Sequence, residues 1–81
     1  MTDEKVLSLI REALFDVAPN RKEEFANIAI STTIEDLALD SIATMEMVGF
    51  LEDKTDMTFP DEELATVQSL TDLARLIRAA A

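Results

Sequence analysis

An aspartate followed directly by a serine is the pair of residues in this chain best suited to chemistry. Asp40-Ser41-Ile42 stands at the head of a segment whose apolar residues recur at helical spacing, so Ser41 carries a hydroxyl at a helix N-terminus. The first N–H groups of a helix lack intrahelical partners, and that end carries a partial positive charge. Both would stabilise a phosphodiester on Ser41. Ser41 is therefore a candidate acceptor for a phosphate-linked group.

Ser41 is not expected to act as a catalytic nucleophile. A serine hydroxyl needs a neighbouring base, and the sequence contains no His to provide one. We therefore predict no catalytic residue, and another enzyme must catalyse any reaction at Ser41. His and Cys are both absent from the sequence, so we also predict no metal site. The plainer alternative is that Asp40 and Ser41 only cap a helix.

Acidic residues dominate the segment that contains Ser41. The chain has 17 acidic and 7 basic residues and a net charge of −10, and between residues 35 and 63 the only basic residue is Lys54. Such a field repels nucleic acid and anionic membranes and attracts basic protein surfaces. We expect partners with basic docking surfaces, no nucleic acid and no membrane insertion. The alternative is a solvated face that only keeps the protein soluble.

The length and the ends of the chain predict a small intracellular domain. Eighty-one residues favour one domain, residues 1–81, and we expect it to be a monomer. No apolar run approaches the ~20 residues that span a bilayer. Residues 1–5 lack the basic and apolar regions of a signal peptide. The predicted location is the cytoplasm.

Helical periodicity defines the elements that must position Ser41. A first helix is predicted over residues 3–17 and ends at Pro19. Residues 18–40 have no sustained period, and a stretch of this length is functional or carries a short helical turn. Its apolar residues are expected to reach the core: Phe25, Ile28, Ile30, Ile34 and Leu37.

A second helix is predicted from Ser41 to about Lys54, with Asp40 as its N-cap. At 100° per residue, one side of this helix forms the core stripe, made of Ala43, Met47, Val48, Phe50 and Leu51. The opposite side mixes apolar residues and carboxylates, which suits a transient interface. Its candidate partner-binding residues, besides Ser41 itself, are Ile42, Met45, Glu46, Gly49, Glu52 and Asp53. Alternatively, Ile42 and Met45 pack under a loop and Gly49 admits another helix.

Two further helical segments complete the prediction. Pro60 and the acids after it favour a short helical turn over residues 60–65. Ser69 is placed to cap a last helix, whose apolar stripe is Leu70, Leu73, Ala74 and Ile77. No segment alternates as a strand. The predicted fold is all-α, a four-helix bundle of three longer helices and one short helix.

The order of these features resembles an acyl carrier protein. Residues 37–42 read Leu-Ala-Leu-Asp-Ser-Ile, an acidic amphipathic helix follows, and residues 59–63 read Phe-Pro-Asp-Glu-Glu. The resemblance implies that Ser41 carries 4′-phosphopantetheine, attached covalently from coenzyme A by a phosphopantetheinyl transferase. The thiol of that arm would hold an acyl group as a thioester. Implied partners are acyl-activating, condensing or acyltransferase enzymes, which would dock on the second predicted helix.

Some positions depart from the family pattern. Ala38 stands where the family usually has Gly, Ala43 where an acid is frequent, and Thr55 where an aromatic is common. These departures favour a dedicated carrier for a specialised lipid or polyketide-type pathway over a general fatty-acid role. Three alternatives remain: an aminoacyl or peptidyl carrier with the same arm, an unmodified acidic helical adaptor, and a small calcium sensor.

Overall fold

The computed structural model describes residues 2–80, and this part of the chain is helical with no β-strand. Its five α-helices are α1 (Asp3–Val17), α2 (Lys22–Phe25), α3 (Ser41–Thr55), α4 (Asp61–Leu64) and α5 (Leu70–Ala80). Single 3₁₀ turns occupy Pro19–Arg21 and Glu35–Leu37. The all-α, acyl-carrier-like class predicted from the sequence is confirmed. The structure adds α2, a second short helix, to the three longer helices and one short helix of the prediction.

Helix α1 forms the centre of the bundle and packs against α2, α3 and α5. The Thr2 side chain caps it by accepting the Lys5 N–H at 3.2 Å, and two acids in the first turn complement the helix dipole. Its buried residues follow the helical period: Val6, Ile10, Ala13 and Leu14. The helical spacing of apolar residues, which predicted a helix over residues 3–17, therefore also corresponds to the buried face of α1.

The aperiodic stretch between α1 and α3 is fixed to the core and to the start of α5. Phe25 and Leu37 are buried, and three isoleucines pack against the core while partly exposed: Ile28, Ile30 and Ile34. Backbone bonds join Ile34 N–H to the Gln68 carbonyl at 2.8 Å and Leu70 N–H to the Thr32 carbonyl at 2.9 Å. This long connection is thus an ordered part of the scaffold that leads into α3.

Helix α3 buries a narrower stripe than the sequence predicts. Only Met47 and Leu51 are buried, whereas Ala43, Val48 and Phe50 are half-exposed. Helix α5 buries the four predicted residues, Leu70, Leu73, Ala74 and Ile77. Arg78 of α5 forms an ion pair with Asp3 of α1. Within residues 2–80, no helix combines the length and the apolar character that crossing a membrane requires.

Candidate functional site

The N-terminus of α3 is built by Asp40. Its backbone is extended, with φ −75° and ψ 174°, and its carboxylate accepts the Ala43 N–H at 2.7 Å. The Asp40 carbonyl accepts both the N–H of Thr44 at 3.0 Å and its hydroxyl at 2.9 Å. Asp40 therefore occupies the N-cap position predicted for it, and it fixes the geometry of the first turn.

Ser41 is the first residue of α3, and its side chain is exposed. The Asp40 carboxylate satisfies the Ala43 N–H, but no group among residues 2–80 accepts a hydrogen bond from the N–H of Ser41 or Ile42. These donors lie beside the Ser41 hydroxyl at the positive end of a 15-residue helix. The residues present thus fit a phosphate group joined to the Ser41 oxygen.

The loop before Asp40 contains a backbone conformation that most residues avoid. Ala38 has φ 52° and ψ 46°, in the left-handed region. Glycine adopts this region readily because it has no Cβ. This is the position where the sequence departs from the glycine usual in the family that it resembles. A glycine would adopt this conformation without steric cost, and Ala38 adopts it although it carries a Cβ.

Arg21 holds the loop at Ala38, a role that sequence reasoning did not predict. Its guanidinium donates to the carbonyls of Leu37 at 2.7 Å and of Ala38 at 3.2 Å. It also donates to Glu24 at 2.8 Å, and this hydrogen bond raises the pKa of Arg21 and lowers the pKa of Glu24. The contacts with the loop span 16 and 17 residues of sequence, so no local pattern could reveal them.

The exposed side of α3 carries the predicted partner-binding residues. Ile42 is 71% exposed and Met45 is 73% exposed, so neither packs under a loop. Glu46 and Asp53 are exposed beside them, and Gly49 is half-buried. A methyl group at Gly49 would meet no atom within 4 Å, so no helix of the described residues approaches closely there. Whether this face binds a partner stays a prediction.

Glu52 differs from the other carboxylates of this helix. Its side chain is half-buried, and it accepts the Phe59 N–H at 2.7 Å. Phe59 is itself buried in the core. Glu52 therefore joins α3 to the connection that leads into α4, a role that its position on a helical wheel does not reveal. A calcium sensor would need a loop of alternating oxygen ligands, and the sequence offers only a weak start for one at residues 53–56. This segment is helical as far as Thr55.

Two hollows lie between α3 and the C-terminal half of the chain. The outer one is a groove of about 400 Å³ whose lining includes Met45, Glu52 and Asp61. The inner one is a half-open pocket of about 70 Å³. Apart from the Thr44 side chain, its lining is apolar: Ile34, Met47, Val48, Leu64, Val67 and Leu73. An apolar group could enter the bundle here beside the first half of α3.

Comparison with known proteins agrees with this geometry. The family described as "Phosphopantetheine attachment site" matches residues 4–77. The chain is similar to the acyl carrier protein of Clostridium acetobutylicum, with 35% identity over 98% of this chain and 95% of that protein. It is similar to the acyl carrier protein of an Exiguobacterium species, with 35% identity over 95% of each chain. A third similar protein, the acyl carrier protein of Akkermansia muciniphila, is 31% identical over 95% of this chain and 94% of its own length.

Proposed function

The chain belongs to the acyl carrier protein family, and we propose that it presents acyl intermediates to successive enzymes on an arm attached to Ser41. Members of this family are carriers, and their cofactor is 4′-phosphopantetheine. The observation that carries the proposal is the exposed Ser41 hydroxyl at the start of α3, beside two N–H groups without an acceptor in residues 2–80. We place the carrier domain at residues 1–81.

In the proposed attachment, the Ser41 oxygen, the neighbouring N–H groups and Asp40 each have a specific role. The Ser41 oxygen would bond to the phosphorus of the pantetheine-bearing phosphate of coenzyme A, as the pyrophosphate P–O bond breaks and adenosine 3′,5′-bisphosphate leaves. The hydroxyl proton would pass to a base of the modifying enzyme, because this chain has no His. The N–H groups of Ser41 and Ile42 would donate to the phosphate oxygens. Asp40 would keep the first turn intact through its bond to Ala43. When bound, the arm supplies the thiol that carries an acyl group as a thioester.

The exposed side of α3 supports docking by enzymes with basic surfaces. Ile42 and Met45 offer apolar contact area, while Glu46 and Asp53 favour a positively charged partner. The proposed partners are a phosphopantetheinyl transferase and acyl-activating, condensing or acyltransferase enzymes. Carrier proteins of this family work with such enzymes, but which of them serve this chain is part of the proposal.

In the protein without cargo, the inner pocket between α3 and the C-terminal half of the chain is small. An apolar cavity of roughly 150 Å³ accommodates benzene, whereas this pocket measures about 70 Å³. It has room for a few carbon atoms, so a longer chain would lie outside or force α3 and α4 apart. The departures at Ala38, Ala43 and Thr55 favour a specialised lipid or polyketide-type cargo over general fatty-acid synthesis.

Intact-protein mass spectrometry tests the attachment site. The protein is incubated with coenzyme A and a promiscuous phosphopantetheinyl transferase, beside a Ser41→Ala control. We expect a mass gain of one phosphopantetheine in the wild type and none in the variant. A gain that persists in Ser41→Ala would move the attachment elsewhere. No gain in folded wild-type protein with either of two transferases would favour the unmodified adaptor.

Loading of the arm-bearing protein then tests the cargo class. The purified protein is offered to an acyl-activating enzyme and, separately, to an aminoacyl-activating enzyme, each with its own substrates. We expect the acyl enzyme to load it. Peptidyl carriers commonly have Gly-Gly-x-Ser at the attachment site, whereas this chain has Ala38-Leu39-Asp40-Ser41, which favours acyl cargo. Loading only by the aminoacyl enzyme would replace the acyl function with the aminoacyl or peptidyl alternative.

The docking face is tested by Met45→Gln, with Lys5→Gln as a control at another exposed position. Because 73% of the Met45 side chain is exposed, the variant should fold with an unchanged melting temperature. We expect the KM of the transferase for this carrier to rise severalfold while kcat changes little, since an interface contact is lost. An unchanged KM would remove Met45 from the docking face.

A further inference from the structure

We propose that Arg21 is a positioning residue for the attachment site, because it holds Ala38 in the left-handed conformation that leads the chain into Asp40 and Ser41. The proposal rests on the attachment at Ser41 proposed above. It assigns a role to a side chain that lies in the 3₁₀ turn Pro19–Arg21 and whose hydrogen bonds in the described residues go to Glu24, Leu37 and Ala38.

Ala38 is the point where the chain changes direction before α3. The 3₁₀ turn Glu35–Leu37 ends there with a bond from Ala38 N–H to the Glu35 carbonyl at 3.0 Å. Two residues later Asp40 is extended, and α3 begins. With φ 52° at a residue that has a Cβ, this bend is disfavoured by local sterics. A contact from elsewhere in the molecule must therefore help to maintain it.

The contacts of Arg21 restrain the two torsion angles that define the bend. The Leu37 carbonyl belongs to the peptide group before Ala38, and the Ala38 carbonyl belongs to the peptide group after it. Arg21 donates to both, at 2.7 Å and 3.2 Å. Since φ and ψ of Ala38 are the rotations that relate these two peptide planes, one guanidinium binding both planes opposes rotation to another conformation.

Arg21 is itself fixed at its other side. Its Nε donates to Glu24 at 2.8 Å, and its guanidinium carbon lies 4.7 Å from the centre of the Phe25 ring, which is buried. The planar fork thus joins two carbonyls, a carboxylate and an aromatic face at once. A lysine ammonium cannot reproduce this arrangement, because it is a compact point charge without a planar set of donors.

The consequence for Ser41 follows from its place in the chain. If Ala38 left the left-handed region, Asp40 would approach α3 from another direction and its 2.7 Å bond to the Ala43 N–H would be disturbed. Ser41 would then be displaced relative to the docking face on which a modifying enzyme sits. Displacements of about 1 Å at a reacting atom are enough to slow a reaction strongly.

The test uses Arg21→Gln, Arg21→Lys, Ala38→Gly and the double variant Arg21→Gln with Ala38→Gly. Lys22→Gln is the matched control, because it removes the neighbouring positive charge but no contact with the loop. Phosphopantetheine transfer is followed by mass spectrometry at several carrier concentrations. The backbone amide resonances of residues 38–43 are recorded by NMR on the same unmodified proteins, and melting temperatures confirm that each is folded.

We expect Arg21→Gln and Arg21→Lys to lower kcat/KM for transfer by about tenfold, a loss that fits a small misplacement of the hydroxyl. The amide resonances of residues 38–43 should shift with it. Ala38→Gly should restore the rate to Arg21→Gln, because glycine adopts the left-handed region without help. The amide resonances of residues 40–43 in the double variant should then match those of the Ala38→Gly single variant. Lys22→Gln should behave as the wild type.

Two results would overturn the role of Arg21. One is wild-type transfer and unshifted resonances in Arg21→Gln. The other is slow transfer that Ala38→Gly does not rescue, since Arg21 would then act by another route, such as direct contact with the transferase. If the wild-type protein gains no phosphopantetheine, the proposed function fails instead. The NMR comparison would still test whether Arg21 maintains the conformation of Ala38.

Discussion

Among single residues, Asp40 supports the attachment site most directly, because it caps the helix that begins with Ser41. Its bond to the Ala43 N–H gives a structural reason for an aspartate before Ser41, independent of any interaction with a partner. A negative charge at this position would also attract a basic modifying enzyme. Capping and charge can be separated, because asparagine caps a helix about as well as aspartate does.

We therefore predict different effects for Asp40→Ala and Asp40→Asn. Loss of the N-cap in Asp40→Ala should lower the free energy of unfolding by about 0.5–2 kcal/mol. Asp40→Asn should stay close to the wild type, since its amide oxygen can still accept the Ala43 N–H. Urea unfolding measures both. If the two variants lost the same stability, charge at the helix end, and not the hydrogen bond, would explain Asp40.

Residue-scale prediction from the sequence worked where the interactions are local. The cap at Asp40 depends on residue type and helix position, so the sequence was enough to predict it. Spacing placed Ile42 and Met45 on the side of α3 away from the core stripe, and their exposure in the structure excludes the alternative that they pack under a loop. The hydrogen bonds from Arg21 to the loop and from the Phe59 N–H to Glu52 join residues that are not neighbours in sequence, so they depend on the tertiary fold. No rule of periodicity contains that information.

Glu52 and Glu46 both lie on α3 but have different surroundings, so one serves as a control for the other. The Glu52 carboxylate accepts the Phe59 N–H, whereas Glu46 is exposed. We predict that Glu52→Ala lowers the free energy of unfolding by about 1 kcal/mol, as expected for a partly buried hydrogen bond. Glu46→Ala should change it little. Chemical denaturation of both variants is the measurement, and equal effects would mean that the Glu52 bond contributes nothing to stability.

At the scale of elements, the longer helices could be predicted because each repeats its period several times. Helix α1 lies at the predicted residues 3–17, and α3 begins at the predicted Ser41 and ends at Thr55. Helix α2 and the 3₁₀ turns escaped precise prediction, since a segment of one turn is shorter than the pattern needed to recognise it. The stretch between α1 and α3 was predicted only as functional or as carrying such a turn.

The start of α5 makes a reciprocal set of capping bonds. The Asp72 carboxylate accepts the N–H groups of Gln68 at 3.0 Å and Ser69 at 3.2 Å, while the Ser69 hydroxyl accepts the Asp72 N–H at 3.3 Å. This is a capping box with aspartate as the acid. The bond from Gln68 is the main reason that the pKa of Asp72 is lowered, and burial opposes it.

A pH dependence follows from the lowered pKa of Asp72. A carboxylate whose pKa is lower in the folded than in the unfolded protein stabilises the fold above its unfolded pKa, near 3.8. This contribution is lost as the pH falls through the folded value. Asp72→Asn should therefore be less stable than the wild type at pH 7, and the difference should shrink below pH 3.8. Thermal unfolding across this range would contradict the prediction if the difference stayed constant.

At the scale of the whole molecule, the helices share one core. Buried residues from α1, α2, α3 and α5 form a single cluster with Leu37 and Phe59 of the connections. The sequence predicted the buried residues of α5 and two of the five proposed for α3, but it did not predict that α1 would contact α2, α3 and α5. That arrangement depends on the complementary shapes of all faces together and becomes visible only in the folded molecule.

The charge of the molecule gives a prediction for its thermal stability. With a net charge of −10 on 81 residues, the carboxylates repel each other more in the compact state than in the unfolded chain. Relief of about 1 kcal/mol by moderate salt or millimolar Mg²⁺ should raise the melting temperature by about 4–8 °C. Scanning calorimetry with NaCl and MgCl₂ at equal ionic strength separates screening from binding. A constant melting temperature in both would contradict this account.

Gly49 makes helix α3 less stable than alanine would at the same position. A methyl group at this position would meet no atom within 4 Å, and alanine is more favourable than glycine inside a helix by about 1 kcal/mol. Gly49→Ala should therefore raise the urea midpoint without disturbing the core. If α3 is the docking face, the same methyl group would stand between the carrier and its enzymes. If Gly49→Ala is more stable but is loaded more slowly, the glycine exchanges stability for access of the enzymes to α3. If loading is unimpaired, Gly49→Ala is a simple way to make the carrier more stable.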